Sequence, residues 1–129
     1  MSPRKRILLT LPLIICLVAI FILSHQPKAP FIEITFEYED KLLHFLAYFI
    51  LGISLIMASV ANLQKASNKK LAIAVLLIGM IYGLSDEFHQ SFVPGRDSSI
   101  FDWFADCLGL ILSLSFLNLI RKLIIHRPK

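Results

Sequence analysis

The chain has 129 residues, of which 57% are hydrophobic and 17% charged, with a formal net charge of +4. A mean hydropathy of +0.73 and this low charged fraction exclude an ordinary soluble domain, in which about a quarter of residues are charged. The lysines and arginines lie at the ends of apolar runs and form no basic aromatic patch. Nucleic-acid binding is therefore excluded as a function class.

The first apolar run covers residues 7–23 and follows Arg4, Lys5 and Arg6. A basic start before an apolar stretch is also typical of a secretory signal. This run, however, is long enough to cross a membrane, and no small-x-small cleavage site follows it. We therefore predict an uncleaved first transmembrane helix.

Three more apolar runs follow, and each is long enough for one membrane crossing. They cover about residues 41–61, 71–90 and 99–120. The pattern predicts an all-α, integral membrane four-helix bundle with short loops, which forms a single domain over residues 1–129.

The charges predict the orientation of this bundle. Ten of the 13 lysines and arginines lie at the N-terminus, in the 62–70 loop or in the C-terminal tail, and the other three are Lys28, Lys41 and Arg96. The positive-inside rule places these segments, and with them both termini, in the cytoplasm. All nine acids and three of the four histidines then lie towards the extracytoplasmic face.

The second run carries Asp40, Lys41, His44 and Tyr48 near this face, and three of them are spaced by four residues. That spacing places Asp40, His44 and Tyr48 on one side of a helix. Asp40 can simply compensate the helix N-terminus, and Tyr48 can be a packed aromatic residue. An imidazole at membrane depth needs a partner, so His44 is a functional candidate.

The third run ends with Tyr82, Asp86, His89 and Gln90 on one side of the helix and Glu87 turned about 100° away from Asp86. Two adjacent acids lie at a helix C-terminus, where the helix dipole disfavours negative charge. Asp86 and Glu87 therefore need an arginine, a metal ion or a proton.

The loop between the third and fourth runs contains Pro94-Gly95, which is typical of a tight turn and projects Arg96. Two interpretations of Arg96 stay open. It can be a structural clamp that pairs with Asp86 or Asp102, or it can bind an anion, since guanidinium matches phosphate or carboxylate in a bidentate way.

The fourth run begins with a Ser99–Asp102 pattern that can be a capping box, which gives Asp102 a structural explanation. Asp106 lies about 6 Å further along the same side, too deep for a cap. Antiparallel helices then bring His44, Asp86, His89 and Asp106 to a similar depth beneath Arg96.

These residues make up a predicted polar site suited to acid–base chemistry or to a divalent metal. The candidate catalytic residues are His44, Asp86, Glu87, His89 and Asp106. The candidate substrate-binding residues are Lys41, Tyr48, Tyr82, Gln90, Arg96 and Asp102. The candidate metal ligands are Asp86, His89 and Asp106; no other cofactor is indicated.

Three motifs resemble the VanZ-like family: DKxxHFxxY over 40–48, YGxxDExHQxFxPGR over 82–96 and DxxxDxxG over 102–109. The resemblance covers nearly the whole chain, with the motifs in order. It implies a small bacterial multi-helix membrane protein linked through the family's namesake to teicoplanin resistance, and it supplies no reaction.

Two functional classes follow. The chain is either a hydrolase or transferase that acts on a lipid-linked or cell-envelope substrate, or a non-enzymatic protein that holds an envelope ligand or a partner. Adjacent acids beside histidines cost more free energy than docking alone requires, which favours the enzyme class. We expect a multi-pass protein of the bacterial cytoplasmic membrane, in contact with lipid, with its site on the extracytoplasmic side.

Overall fold

The computed structural model describes residues 1–26 and 39–125, and this part of the chain is helical. Its elements are α1 (Pro3–Ser24), α2 (Glu39–Asn62), α3 (Asn68–Gln90), α4 (Ile100–Ser113), a 3₁₀ turn (Leu114–Phe116) and α5 (Leu117–Ile125). Several charged residues used for the predicted orientation lie outside the described residues: Lys28, Glu33, Glu37, Arg127 and Lys129.

The predicted all-α membrane bundle is confirmed. Four helical segments are long and apolar enough to cross a membrane: α1, α2, α3 and the continuous stretch Ile100–Ile125. Large apolar side chains on their outer faces are exposed, as at Ile7, Ile81 and Leu108. Such surfaces are expected where lipid, rather than water, solvates the protein.

The helices begin before the apolar runs because polar caps start them. Ser2 caps α1 by accepting a hydrogen bond from the Lys5 backbone N–H, and Pro3 occupies the first turn. Ser67 caps α3 in the same way through the Lys70 N–H. A cap satisfies backbone donors that hydrophobicity does not reveal, so the predicted starts at 7 and 71 were three to four residues late.

The fourth span is interrupted, whereas one helix over 99–120 was predicted. The hydroxyls of Ser113 and Ser115 donate to the carbonyls of Leu110 and Leu112, at 2.6 and 2.7 Å. Serine hydroxyls that bond to the preceding turn compete with the helical ladder, and the chain tightens into a 3₁₀ turn at this point. The helix then continues as α5 to Ile125.

Helix α2 lies at the centre and packs against α1, α3, α4 and α5. Its contact with α4 depends on Gly109, where an added Cβ would overlap the Phe45 carbonyl and lie 2.8 Å from the Phe49 nitrogen. On α3, Gly79 and Gly83 face Leu110 and Asp106 of α4, so this GxxxG pair serves packing inside the bundle. These close approaches fix the depth and rotation of the helices that carry the polar residues.

A candidate polar site inside the bundle

The start of α2, the end of α3 and the start of α4 meet at one end of the bundle, which we call the acid end. Three buried side chains lie at its centre, one from each helix: His44, Glu87 and Asp106. They are 7%, 5% and 0% exposed. We call this set the inner triad.

The inner triad is built around one hydrogen bond. His44 Nδ1 lies 2.9 Å from Asp106 Oδ1, and the same nitrogen lies 3.7 Å from Glu87 Oε1. One ligand atom from each of the three side chains falls within 4.8 Å of the other two. An imidazole and two carboxylates therefore converge on a single small volume.

Several polar atoms in this volume have no hydrogen-bond partner among residues 1–26 and 39–125. They are Tyr48 Oη, Glu87 Oε1 and Asp106 Oδ2, all buried. The second oxygen of Glu87 accepts a hydrogen bond from the Ser99 backbone N–H at 2.9 Å, so this side chain is held in place. A buried polar atom without a partner costs about 1–3 kcal/mol, and more when it is charged.

Asp86, Gln90 and Tyr82 lie beside the inner triad rather than in it. The Gln90 amide donates to Asp86 Oδ2 at 3.2 Å, and both side chains are buried. The Tyr82 hydroxyl donates to the Leu17 carbonyl of α1 at 2.7 Å, and its ring lies 6.3 Å from that of Tyr48.

Lys41 forms an ion pair with Asp102, with 3.1 Å between the Lys41 nitrogen and Asp102 Oδ1. Asp102 is buried, and the Lys41 side chain is 37% exposed at the rim. Ser99 caps α4 by accepting from the Phe101 N–H, but the suggested capping box is not formed, because the Asp102 side chain accepts from Lys41. With Asp86, the acid end therefore buries four carboxylates.

Arg96 ties the α3–α4 loop to the end of α1. Its guanidinium donates to the carbonyls of Gln26 and Leu23, at 3.0 and 2.8 Å, and lies 3.8 Å from Asp40. The predicted Pro-Gly turn is confirmed: Gly95 has a φ of 82°, and the Arg96 N–H donates to Val93. The structural clamp exists, but the expected partners Asp86 and Asp102 were wrong.

His89 faces α1 instead of the inner triad. Its Nε2 lies 3.3 Å from His25 Nδ1, and its ring stands 5.1 Å from that of Phe21. The predicted metal-ligand set of Asp86, His89 and Asp106 is thus not brought together. Within the described part of the chain, the sets close enough to share an ion are the inner triad and Asp40, His44 and Asp102.

The sequence contains a signal for the rotation of α3 about its own axis. Gly79, Gly83 and Glu87 are spaced by four residues, so the glycine face that packs on α4 also carries Glu87. His89 is two residues further on and turns towards α1. No comparable signal marks His25 as the neighbour of His89.

An apolar groove opens on the lipid side between α3 and α4, next to the inner triad. Its volume is about 710 Å³. Its walls are mostly apolar or hydroxylated side chains: Ile81, Leu84, Ser85, Phe88, Ser91, Ser98, Ile100 and Trp103. Glu87 also contributes to the lining, so the groove and the inner triad share this residue.

Comparison with known proteins now decides the family. The family model described as VanZ/LLP1 matches residues 5–121. The chain belongs to the VanZ/LLP1 family. The resemblance expected from the three motifs is confirmed, and the family together with the four spans makes this a multi-pass membrane protein.

A curated relative is an uncharacterized protein of Schizosaccharomyces pombe, 33% identical over 111 residues. The match covers 86% of this chain and 62% of the relative, so this chain spans less than two thirds of the yeast protein. No solved structure matches the chain. Because the relative is from a yeast, similarity within the family does not by itself indicate a bacterial protein.

Proposed function

We propose that this chain binds and transforms a lipid-linked or cell-envelope substrate at the inner triad, as a membrane-embedded hydrolase or transferase. The observation that carries the proposal is the buried His44–Asp106 hydrogen bond beside carboxylate oxygens that have no partner among residues 1–26 and 39–125. Such an arrangement lowers stability unless a ligand uses it, and polar groups of this kind inside a membrane are typical of function.

The chemistry of the inner triad suits acid–base work on a polar head group. Asp106 orients the His44 imidazole through the 2.9 Å hydrogen bond, and Glu87 supplies a second acid next to it. A positioned imidazole within reach of a reacting group typically accelerates a reaction by about 10²–10⁴-fold. The Tyr48 hydroxyl, which has no hydrogen-bond partner in the described part of the chain, can donate to the same head group.

The groove between α3 and α4 supports a lipid as the substrate. An acyl or prenyl chain in the groove would lie against Ile81, Leu84 and Phe88, with its polar end at Glu87. A substrate that enters from the bilayer in this way reaches the inner triad without first crossing water.

The location of the proposed site follows from charge. Apart from Lys41 and Arg96, the described lysines and arginines gather at the end of the bundle opposite the inner triad, and the positive-inside rule supports a cytoplasmic location for that end. The proposed site then lies on the extracytoplasmic side of a bacterial cytoplasmic membrane. The resemblance to the family's namesake extends the proposal to glycopeptide (teicoplanin) resistance, which a drug-susceptibility assay of expressing and non-expressing cells tests.

The experiment uses the full chain in vesicles of phosphatidylethanolamine, phosphatidylglycerol and a polyprenyl phosphate. Lipid products are followed by mass spectrometry, and retained lipid by native mass spectrometry. We expect the wild-type protein to convert one of these lipids. His44→Gln and Asp106→Asn should lower the rate by about 100-fold or more, and His25→Ala, a histidine outside the inner triad, should not.

Lipid retained but unchanged, with retention lost in the two inner-triad variants, would favour the non-enzymatic binding class. If neither retention nor conversion differs between the wild-type protein and these variants, the inner triad has no role with lipid substrates and the proposal is wrong.

A further inference from the structure

We propose that the inner triad binds one divalent transition-metal cation of the Zn²⁺ or Mn²⁺ class. The ligands are His44 Nδ1 and one carboxylate oxygen each from Glu87 and Asp106. This inference deepens the proposed function and rests on the inner triad being the working site.

The distances suit a single ion. Ligand atoms at about 2.0–2.1 Å from a tetrahedral Zn²⁺ lie about 3.3 Å from each other. The two separations from His44 Nδ1, 2.9 Å to Asp106 and 3.7 Å to Glu87, lie on either side of that value. All three ligand atoms lie within 4.8 Å of one another, so side-chain shifts of about 1.5 Å or less bring them around one ion, which replaces the hydrogen-bonded proton.

Among residues 1–26 and 39–125, the charge balance of the acid end also favours a bound cation. Four carboxylates are buried there, and Lys41 lies against Asp102. Arg96 is directed to backbone carbonyls of α1 and to Asp40, away from the inner triad. A doubly charged ion would offset the charges of Glu87 and Asp106. Each of these side chains is nine-tenths or more buried and has one oxygen without a hydrogen-bond partner in the described ranges 1–26 and 39–125.

The surroundings orient the ligands. The Ser99 N–H holds one oxygen of Glu87 and leaves the other facing His44, a supporting contact of the type common around metal ligands. Gly83 lies beside Asp106 Oδ2. A Cβ added at Gly83 would be 3.0 Å from this oxygen and 3.2 Å from the Tyr48 ring. The glycine keeps this side of the carboxylate open.

The ligand types select the cation class. One imidazole with two carboxylates suits Zn²⁺ or Mn²⁺, whereas Mg²⁺ and Ca²⁺ prefer all-oxygen sets. Three protein ligands with a further open position are typical of catalytic rather than structural zinc. The alternative set of Asp40, His44 and Asp102 is less suitable, because the Lys41 ammonium already contacts Asp102.

The test uses the tag-free full chain in detergent, stripped with EDTA and titrated with Zn²⁺ or Mg²⁺ by calorimetry. Co²⁺ absorption reports the coordination geometry. We expect one Zn²⁺ per chain, bound more tightly than Mg²⁺. Glu87→Gln and Asp106→Asn should weaken Zn²⁺ binding by more than about 100-fold. Circular dichroism of the metal-free proteins shows whether these near-isosteric variants keep their helices.

His25→Gln is the matched control, because it removes an imidazole from the neighbouring His25–His89 pair and should leave Zn²⁺ affinity within about twofold. The inference is overturned if the wild-type chain binds no stoichiometric Zn²⁺, if both carboxamide variants bind it normally, or if His25→Gln abolishes binding.

The two proposals fail separately. Lipid conversion by a wild-type chain that binds no stoichiometric Zn²⁺ contradicts the metal site and leaves the proposed function. If the chain binds stoichiometric Zn²⁺ at the inner triad but neither retains nor converts lipid, the metal site is supported and the proposed function is wrong.

Discussion

The two ends of the bundle handle their polar residues differently. At the end opposite the acid end, which we call the basic end, charged side chains reach backbone carbonyls or amides near the surface. Lys5 donates to the Ile124 carbonyl at 3.3 Å, and Arg121 donates to the side chain of Asn68 and the carbonyl of Gln64. These contacts connect helix ends, and water can solvate whatever they leave free.

At the acid end several polar side chains point into the bundle. Glu87 and Asp106 are buried, each with one oxygen that has a hydrogen bond and one without a partner in the described part of the chain. Removing a charge from water costs several kcal/mol unless it is paired. The comparison teaches that polar side chains at the basic end connect helix ends, whereas the acid end keeps an energetic cost that a ligand can offset.

The largest expected effect on stability comes from disrupting the close contact between α2 and α4, on which both ends of the bundle depend. Gly109→Ala adds a Cβ that overlaps the backbone of α2 at Phe45 and Phe49, and neither backbone atom can rotate away. We expect a loss of about 3 kcal/mol or more in the free energy of unfolding. Denaturant titration in mixed micelles measures it.

Leu108→Ala is the control for this prediction, since Leu108 is exposed on the lipid side. It should change the unfolding free energy by less than about 1 kcal/mol. Equal stability of Gly109→Ala and the wild-type protein would mean that α2 and α4 are not in such close contact.

The next prediction compares the two ends by replacing one lysine at each of them. Lys41→Met leaves the buried Asp102 carboxylate without its ion-pair partner, so we expect a loss of about 1–2 kcal/mol, reduced because Lys41 is partly exposed. Lys5→Met at the basic end frees only a backbone carbonyl, with an expected loss below about 0.5 kcal/mol. The same denaturant titration compares them, and equal losses would remove the distinction between the ends.

The smallest expected effect is a gain, not a loss, in the free energy of unfolding. Asp106→Asn removes one buried carboxylate charge while its amide oxygen can still accept from His44, so the metal-free protein should become more stable by about 1 kcal/mol. Thermal unfolding in EDTA measures the change, with Asp97→Asn in the exposed loop as the control. A clear destabilisation by Asp106→Asn would show that the charged carboxylate holds the bundle together.

The sequence by itself determined the four spans and the segregation of acids from bases. Both depend on local composition, because a bilayer requires each crossing segment to be apolar and to satisfy its own backbone hydrogen bonds. The same reasoning placed His44 and Asp106 at one depth, and the structure brings them into hydrogen-bond contact.

Only the tertiary structure decided which polar side chains meet. Glu87, not His89, joins the inner triad, because the rotation of α3 is set where its glycines pack on α4. Arg96 bonds to the end of α1, a segment distant in sequence, instead of Asp86 or Asp102. Spacing fixes how residues are arranged around one helix, but the angle that the helix presents to its neighbours depends on close packing between helices.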